Sequence, residues 1–243
     1  MQNPTAAMLV IGDEILSGRT RDSNSHHLAG RLTEHGIDLR EVRFIGDDAD
    51  TISATVQTLA DSHDHLFTSG GIGPTHDDIT AEAVAAAFGT PISVRDDARK
   101  ILTDYYAIRE MELNEARLRM ARVPDGATLI DNPVSAAPGF SLRNVHVMAG
   151  VPKIFEAMLD GLMPKLTGGA KLQSRTLMVN RGEGDIAEGL TRVDAAHPAV
   201  SVGSYPAWGN KGYQVSIVMR SNDPAALDAA IADARALFPE GRE

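Results

Sequence analysis

Apolar positions along the chain come in short continuous runs separated by stretches with helical spacing. Ala6–Ile11 is an unbroken apolar run stopped by Gly12, the pattern of a strand covered on both faces. Asn24–His35 predicts a helix: Leu28 and Leu32 share a face, Ser23 or Asn24 can cap it, and Gly36 follows its end. Ile37–Ile45 reads as a strand whose alternation of Ile37, Leu39, Val42 and Phe44 breaks phase midway. Asp48 or Asp50 can cap a second helix carrying Ile52, Val56 and Leu59. His65–Ser69 predicts a strand, and a glycine turn leads from it into a helix carrying Ile79, Ala83, Val84 and Phe88. Helices are expected over Asp96–Arg109 and Glu112–Arg122, the second stopped by Val123-Pro124-Asp125-Gly126. Val145–Ala149 reads as another strand, and Pro152 suits the first turn of a helix with Ile154, Met158 and Leu162 on one face.

Strands alternating with helices imply crossover connections and a mostly parallel sheet covered on both faces. Ligands of such sheets bind beyond the carboxyl ends of the strands. Thr167-Gly168-Gly169-Ala170 reads as a linker, so a first domain is expected over residues 1–168 and a second over 171–243. The second has its own pattern: strand Arg175–Asn180, helix Asp185–Asp194, strands Val200–Ser204 and Tyr213–Arg220, helix Pro224–Phe238. That order describes a small α+β module on its own sheet.

Charge changes the picture in one respect. The chain carries a net −10, and residues 171–243 hold 8 Lys/Arg against 9 Asp/Glu, so residues 1–170 hold the other 15 and 24. An acidic front half argues against nucleic acid as a partner. Cysteine is absent, which excludes disulfides, thiolate metal sites and a thiol nucleophile and suits a reducing, cytoplasmic setting. No run approaches 18 apolar residues, so no membrane span is expected. The start, MQNPTAAMLVIGDE, lacks a basic region and is not expected to act as a signal peptide.

The candidate chemistry lies at strand ends. Ser69–Asp78 (SGGIGPTHDD) joins a strand to a helix; Gly70, Gly71 and Gly73 allow close backbone approach, and a helix start offers unpaired N–H groups to phosphate. The competing reading is a tight turn with Asp77 or Asp78 as helix cap. Acidic residues gather after the same strands: Asp13 and Glu14, Asp22, Asp47 and Asp48, Asp77 and Asp78. So many carboxylates around a phosphate cradle require a hard divalent cation between them, and Mg²⁺ takes one or two carboxylates plus phosphate and water oxygens. Gly150-Val151-Pro152 forms a third strand-end turn, preceded by the proline-rich wall Asn132–Phe140. His63 and His65 share a strand face but read as exposed polar residues, His26 and His27 diverge on a helix, and Trp208 reads as packed at a hairpin tip.

Ile11-Gly12-Asp13-Glu14-Ile15-Leu16, Asp22-Ser23-Asn24, Gly46-Asp47-Asp48 and Ser69–Thr80 together resemble the molybdopterin-binding (MoCF biosynthesis) domain family, in the form that opens FAD synthase and competence/damage-inducible protein A. Leu113-Asn114-Glu115-Ala116, Met120–Gly126 and Asn132–Phe140 continue the match, although Ser135-Ala136-Ala137 stands where the family often has Gly-Thr-Ala. The tail is similar to the small KH-like domain that follows in competence proteins. The resemblance implies a three-layer α/β/α fold, a phosphorylated pterin or nucleotide as ligand, and homo-oligomers. It implies catalytic roles for Asp47 and Asp78 and divalent-metal-dependent (Mg, Mn or Co) pyrophosphate cleavage of FAD or ADP-ribose, with Asp13, Asp22 and Asp77 as metal ligands or their orienters. A non-catalytic binding module of molybdenum cofactor metabolism is the alternative. The expected ligand contacts are Ser69, Gly70, Gly71, Gly73, Thr80, Asn24, Gly150 and Pro152. With 243 residues, neither the amidase domain of competence proteins nor the FAD-forming domain of FAD synthase is expected.

Overall fold

The computed structural model describes residues 3–209 and 212–242, with backbone only at 207–209, 212 and 213. The chain divides into two units, Met1–Gly169 and Ala170–Glu243. The first contains β1 (Thr5–Ile11), α1 (Asp13–Leu16), α2 (Asn24–His35), β2 (Asp38–Ile45), α3 (Ala49–Ser62), β3 (His65–Ser69), α4 (Thr80–Ala87), β4 (Ile92–Val94), α5 (Asp96–Ile108), α6 (Glu115–Leu118), β5 (Arg122–Pro124), β6 (Thr128–Ile130), β7 (Gly139–Leu142), β8 (Val145–Met148) and α7 (Pro152–Leu162). Its main sheet has the order β2-β1-β3-β8-β7-β6. The first four strands run parallel, and β7 and β6 return antiparallel at one edge.

Burial of β1 on both faces makes the unit three-layered. Ala7, Leu9 and Ile11 pack with Ile52, Val56 and Leu59 of α3, Val84 of α4 and Leu102 of α5. Ala6, Met8 and Val10 face the other way, against Leu28 and Leu32 of α2 and Phe155, Met158 and Leu159 of α7. The phase break in β2 is a bulge: Ala6 pairs with Leu39 and Ala7 with Glu41, so Arg40 has no partner in β1.

Three local expectations are corrected. The span Glu112–Arg122 holds only the four-residue α6 and a 3₁₀ turn at Arg119–Ala121. Arg122 already belongs to β5, which pairs with β4 some thirty residues earlier, a contact that no local pattern marks. β6 and β7, three and four residues long, bracket the wall Asn132–Phe140, and the β7–β8 hairpin turns through Arg143 at φ 53° without a glycine. α2 is capped by the Asp22 carboxylate, which accepts from the amides of Asn24 (3.1 Å) and Ser25, whereas Ser23 makes no side-chain cap. α4 starts at Thr80 behind Ile79 with no side-chain cap, so neither Asp77 nor Asp78 caps it.

The second unit contains β9 (Gln173–Val179), α8 (Glu183–Ala196), β10 (Ser201–Gly209), β11 (Gly212–Ser221) and α9 (Pro224–Leu237). Its antiparallel sheet, order β10-β11-β9, packs Leu177, Val215, Ile217 and Met219 against Ile186, Val193, Leu227 and Ala230 of the two helices. The side chain of Trp208 lies outside the described residues.

Phe155 is fully buried and Ile108 is 81% exposed. Phe155→Ala is expected to cost about 3–5 kcal/mol in urea unfolding, and Ile108→Ser to stay within about 0.5 kcal/mol of the parent. Equal effects would contradict the packing described.

Candidate functional site

The parallel arrangement carries the ends of β1, β2, β3 and β8 to one edge, and with them the loops starting at Gly12, Gly46, Gly70 and Ala149. The chain leaves β1 for β2 on one side and returns as β3 on the other, the switch point where α/β sheets open a crevice.

Asn24, the buried first residue of α2, ties this edge together. Its Nδ2 donates to Ser69 Oγ (2.7 Å) and to the Gly150 carbonyl (2.8 Å), and its Oδ1 is buried without a protein partner. The loops after β3 and β8 touch: the Gly70 amide donates to the Met148 carbonyl (3.2 Å), and a Cβ on Gly150 would lie 3.2 Å from the Gly70 α-carbon. Gly70 itself, at φ 109°, has no room for a side chain because a Cβ would strike the Ile11 carbonyl. Pro152 opens α7 just beyond and lacks an N–H to offer.

The acids divide into two groups. The Asp13 amide donates to Asp47 Oδ2 (3.0 Å). Burial holds the Asp47 carboxyl above its ordinary range; the Asp13 amide opposes this, and the charges of Asp13, Glu14 and Asp77 add to it. Glu14 folds back over Gly12, where a Cβ would lie 2.5 Å from its carboxylate. Sequence reading placed Glu14 after the first strand but gave it no role; its neighbour Asp13 is what the motif emphasised. The remaining acids hold local structure. Asp22 caps α2, and Asp48 caps α3 through the Thr51 amide (2.8 Å) and hydroxyl (2.6 Å). Asp78 Oδ2 accepts from the Thr75 amide (2.8 Å) and hydroxyl (2.6 Å), folding the loop over Gly73.

The phosphate-loop expectation changes in detail. The segment from Gly70 to Ile79 is a ten-residue loop rather than a tight turn. The Gly71 carbonyl accepts the Thr80 amide (3.0 Å), so the loop itself occupies one of the free N–H groups of α4. Gly71 has φ 67°, and a Cβ there would strike the Thr80 hydroxyl. The Cβ side of its α-carbon is therefore filled by Thr80. Thr80, expected as a ligand contact, is wholly buried behind it with its hydroxyl unpartnered.

Among the described residues, no three acidic or histidine side chains gather closely enough to cage a metal ion. Mg²⁺ needs fewer: Asp13 and Asp47 supply an oxygen-only pair in a locally repulsive setting that a hard cation would relieve. Asp22, with its oxygens engaged by α2, does not join that pair. The histidines stay apart from this edge. His63 contacts the Leu59 carbonyl, whereas His65 Nδ1 meets Nε2 of His146 (3.2 Å), whose Nδ1 meets Ser141 Oγ (2.9 Å). Burial lowers the His146 pKa to about 3, which marks a neutral core histidine.

Comparison with known proteins agrees with this architecture. Residues 7–168 match the family model described as "Probable molybdopterin binding domain", and residues 171–242 match "FAD synthase, middle domain". A Caenorhabditis elegans protein named "Probable FAD synthase" is 35% identical over 98% of this chain and 50% of its own length. A "CinA-like protein" of Desulfosudis oleivorans is 37% identical over 82% of this chain and 51% of its own. The crystal structure of the protein CinA from Thermoplasma acidophilum, titled as of unknown function, superposes with a TM-score of 0.61 at 33% identity, covering 66% of this chain and 98% of that one. The chain belongs to the molybdopterin-binding (MoCF biosynthesis) domain family, with the middle domain of FAD synthase following it. It spans about half the length of these curated relatives.

Gly71→Ala is expected to cost about 2 kcal/mol, from the left-handed backbone and the clash with Thr80. Thr80→Ala, which loses no hydrogen bond, should change stability by less than about 1 kcal/mol. In the double variant part of the Gly71→Ala cost should return. Strict additivity in urea unfolding would contradict the contact.

Proposed function

We propose that the first unit binds a phosphorylated nucleotide or pterin at the carboxyl edge of its sheet and hydrolyses the diphosphate of a dinucleotide such as FAD or ADP-ribose. The observation that carries this reading is Asp47: a partly buried carboxyl that burial holds above its ordinary pKa, with the charges of Asp13, Glu14 and Asp77 adding to the effect, on the edge where the glycine loop and Asn24 converge. The match to a domain of FAD synthase supports a flavin or adenine dinucleotide as the ligand class.

In this reading the diphosphate lies along the loop from Gly70 to Gly73, with Asn24 fixing the ends of β3 and β8 that frame it. Asp13 and Asp47 are the residues that would hold a divalent cation, which would supply charge neutralisation at the phosphates. Asp47 orients a water and accepts its proton as the water oxygen attacks one phosphorus. The bond from that phosphorus to the bridging oxygen breaks, and the bridging oxygen leaves with the second phosphate. FAD would give AMP and FMN; ADP-ribose would give AMP and ribose 5-phosphate. A second reading, binding without turnover, draws on the lack of a three-ligand metal cage among the described residues.

Chromatography of FAD and ADP-ribose incubated with Mg²⁺, Mn²⁺ or Co²⁺ separates the two: AMP release supports hydrolysis, and tight binding without AMP supports the module. Asp47→Asn should slow turnover by about 10²–10⁴-fold. The same substitution should raise thermal stability at pH 7. A carboxyl whose folded pKa lies above its unfolded value, near 3.8, costs the folded state stability as pH rises from that value through the folded one. The asparagine variant escapes this cost, so its advantage should vanish below about pH 4. Undiminished hydrolysis, or a lower melting temperature at pH 7, would contradict the role given to Asp47.

A further inference from the structure

On the α4 side of the glycine loop lies a small cleft bordered by Gly71, Gly73, Asp78, Glu82, Arg119 and Arg122. It is separate from the side on which Asn24 joins Ser69 to Gly150. Its four charges are not equally engaged. Glu82 and Arg122 form an ion pair with each other, and Asp78 is held by Thr75. Arg119 alone has no carboxylate partner among the described residues. Its Nη2 makes one long hydrogen bond, to the Asp78 carbonyl (3.4 Å), and its Nε is buried with no acceptor.

An arginine placed for structure looks different in the same unit. Arg95 uses Nε on Asp97 Oδ1 (2.9 Å), Nη2 on Asp97 Oδ2 and Nη1 on the Ala127 carbonyl, so its fork is filled. Leaving a buried N–H unpaired is unfavourable, and a guanidinium presents five donors in a geometry that matches phosphate oxygens. The first turn of α4, with Ala81 and Glu82, lines the same cleft and adds the positive end of a helix dipole. The four charges of the cleft sum to zero, and Arg119 is the cation among them whose donors are not spent on a carboxylate.

We propose that Arg119 and this cleft form a phosphate subsite, taking a phosphoryl group of the ligand against the underside of the loop at Gly71–Gly73. Naming that group part of a diphosphate rests on the function proposed above; binding of the anion does not. The guanidinium would exchange its long contact with the Asp78 carbonyl for paired bonds to phosphate oxygens. Because Arg119 reaches the backbone of Asp78, occupancy of the cleft would also reset the loop.

The probe is inorganic pyrophosphate in EDTA, with neither metal nor turnover, measured by calorimetry on the full chain. The parent should bind it, more weakly as salt rises, and Arg119→Gln should weaken binding by about ten- to a hundredfold at an unchanged melting temperature. Arg119→Lys, which keeps the charge but not the fork, should fall between them. Absence of pyrophosphate binding by the parent, or parent-like affinity in the glutamine variant, would overturn the proposal. If the glutamine variant does not fold, parent-like affinity in a folded lysine variant overturns it and weakened affinity supports it. AMP release from FAD is scored separately, so loss of one result leaves the other standing.

Discussion

A single buried amide group holds the functional edge of the first unit in register. Asn24 stands at the start of α2, on one face of the sheet, and its Nδ2 reaches Ser69 at the end of β3 and Gly150 at the end of β8. Without those bonds α2 would lose its polar tie to this edge, and β3 and β8 would keep only their strand pairing and the Gly70 amide on the Met148 carbonyl. Buried amide donors are rarely left unpaired, so the sequence distance of 126 residues between Asn24 and Gly150 is bridged by a strong local demand. The glycines follow from the same constraint. Gly70 lies too near Ile11, and Gly150 too near Gly70, for strands carrying side chains at those points to end so close together.

Around that frame the charges are arranged at a cost. Burial raises the proton affinity of Asp47, the charges of Asp13, Glu14 and Asp77 add to it, and one backbone amide opposes the effect. A fold selected for stability alone would disperse these acids or pair them, as Arg31 is paired with Glu34 and Asp160. Like-charge crowding of this kind is characteristic of sites that await a cation or a proton. The other acids of the same motifs show the opposite use: Asp22, Asp48 and Asp78 each spend their oxygens on nearby N–H or O–H donors. Asp47 and Asp48, adjacent in sequence, therefore do different work.

That difference marks where sequence ceased to be a guide. The layers and the parallel order were legible, and with them the strand ends that carry the candidate site, because apolar runs such as Ala6–Ile11 and helical faces such as Leu28–Leu32 carry their own periodicity. The β4–β5 pair and the short strands β6 and β7 were not, since three residues hold no period and their partners come from tertiary contact. Within the site, the clustering of acids at strand ends could be read, but not which acid caps a helix and which stays free. Gly71 shows the limit most clearly: a glycine in a phosphate-loop pattern is required here by Thr80. Arg119 left no motif at all, although three arginines within Arg117–Arg122 in an acidic half were a visible irregularity.

The central claim is that ligand binds where β1, β3 and β8 end. Chemical-shift mapping with ADP-ribose and Mg²⁺ tests it most directly. The account predicts the largest changes at the Asn24 side-chain amide and the backbone amides of Gly70, Gly71, Gly73 and Gly150, all at one edge of the first unit. Shifts confined to residues 171–242, with the Asn24 side chain unmoved, would contradict it.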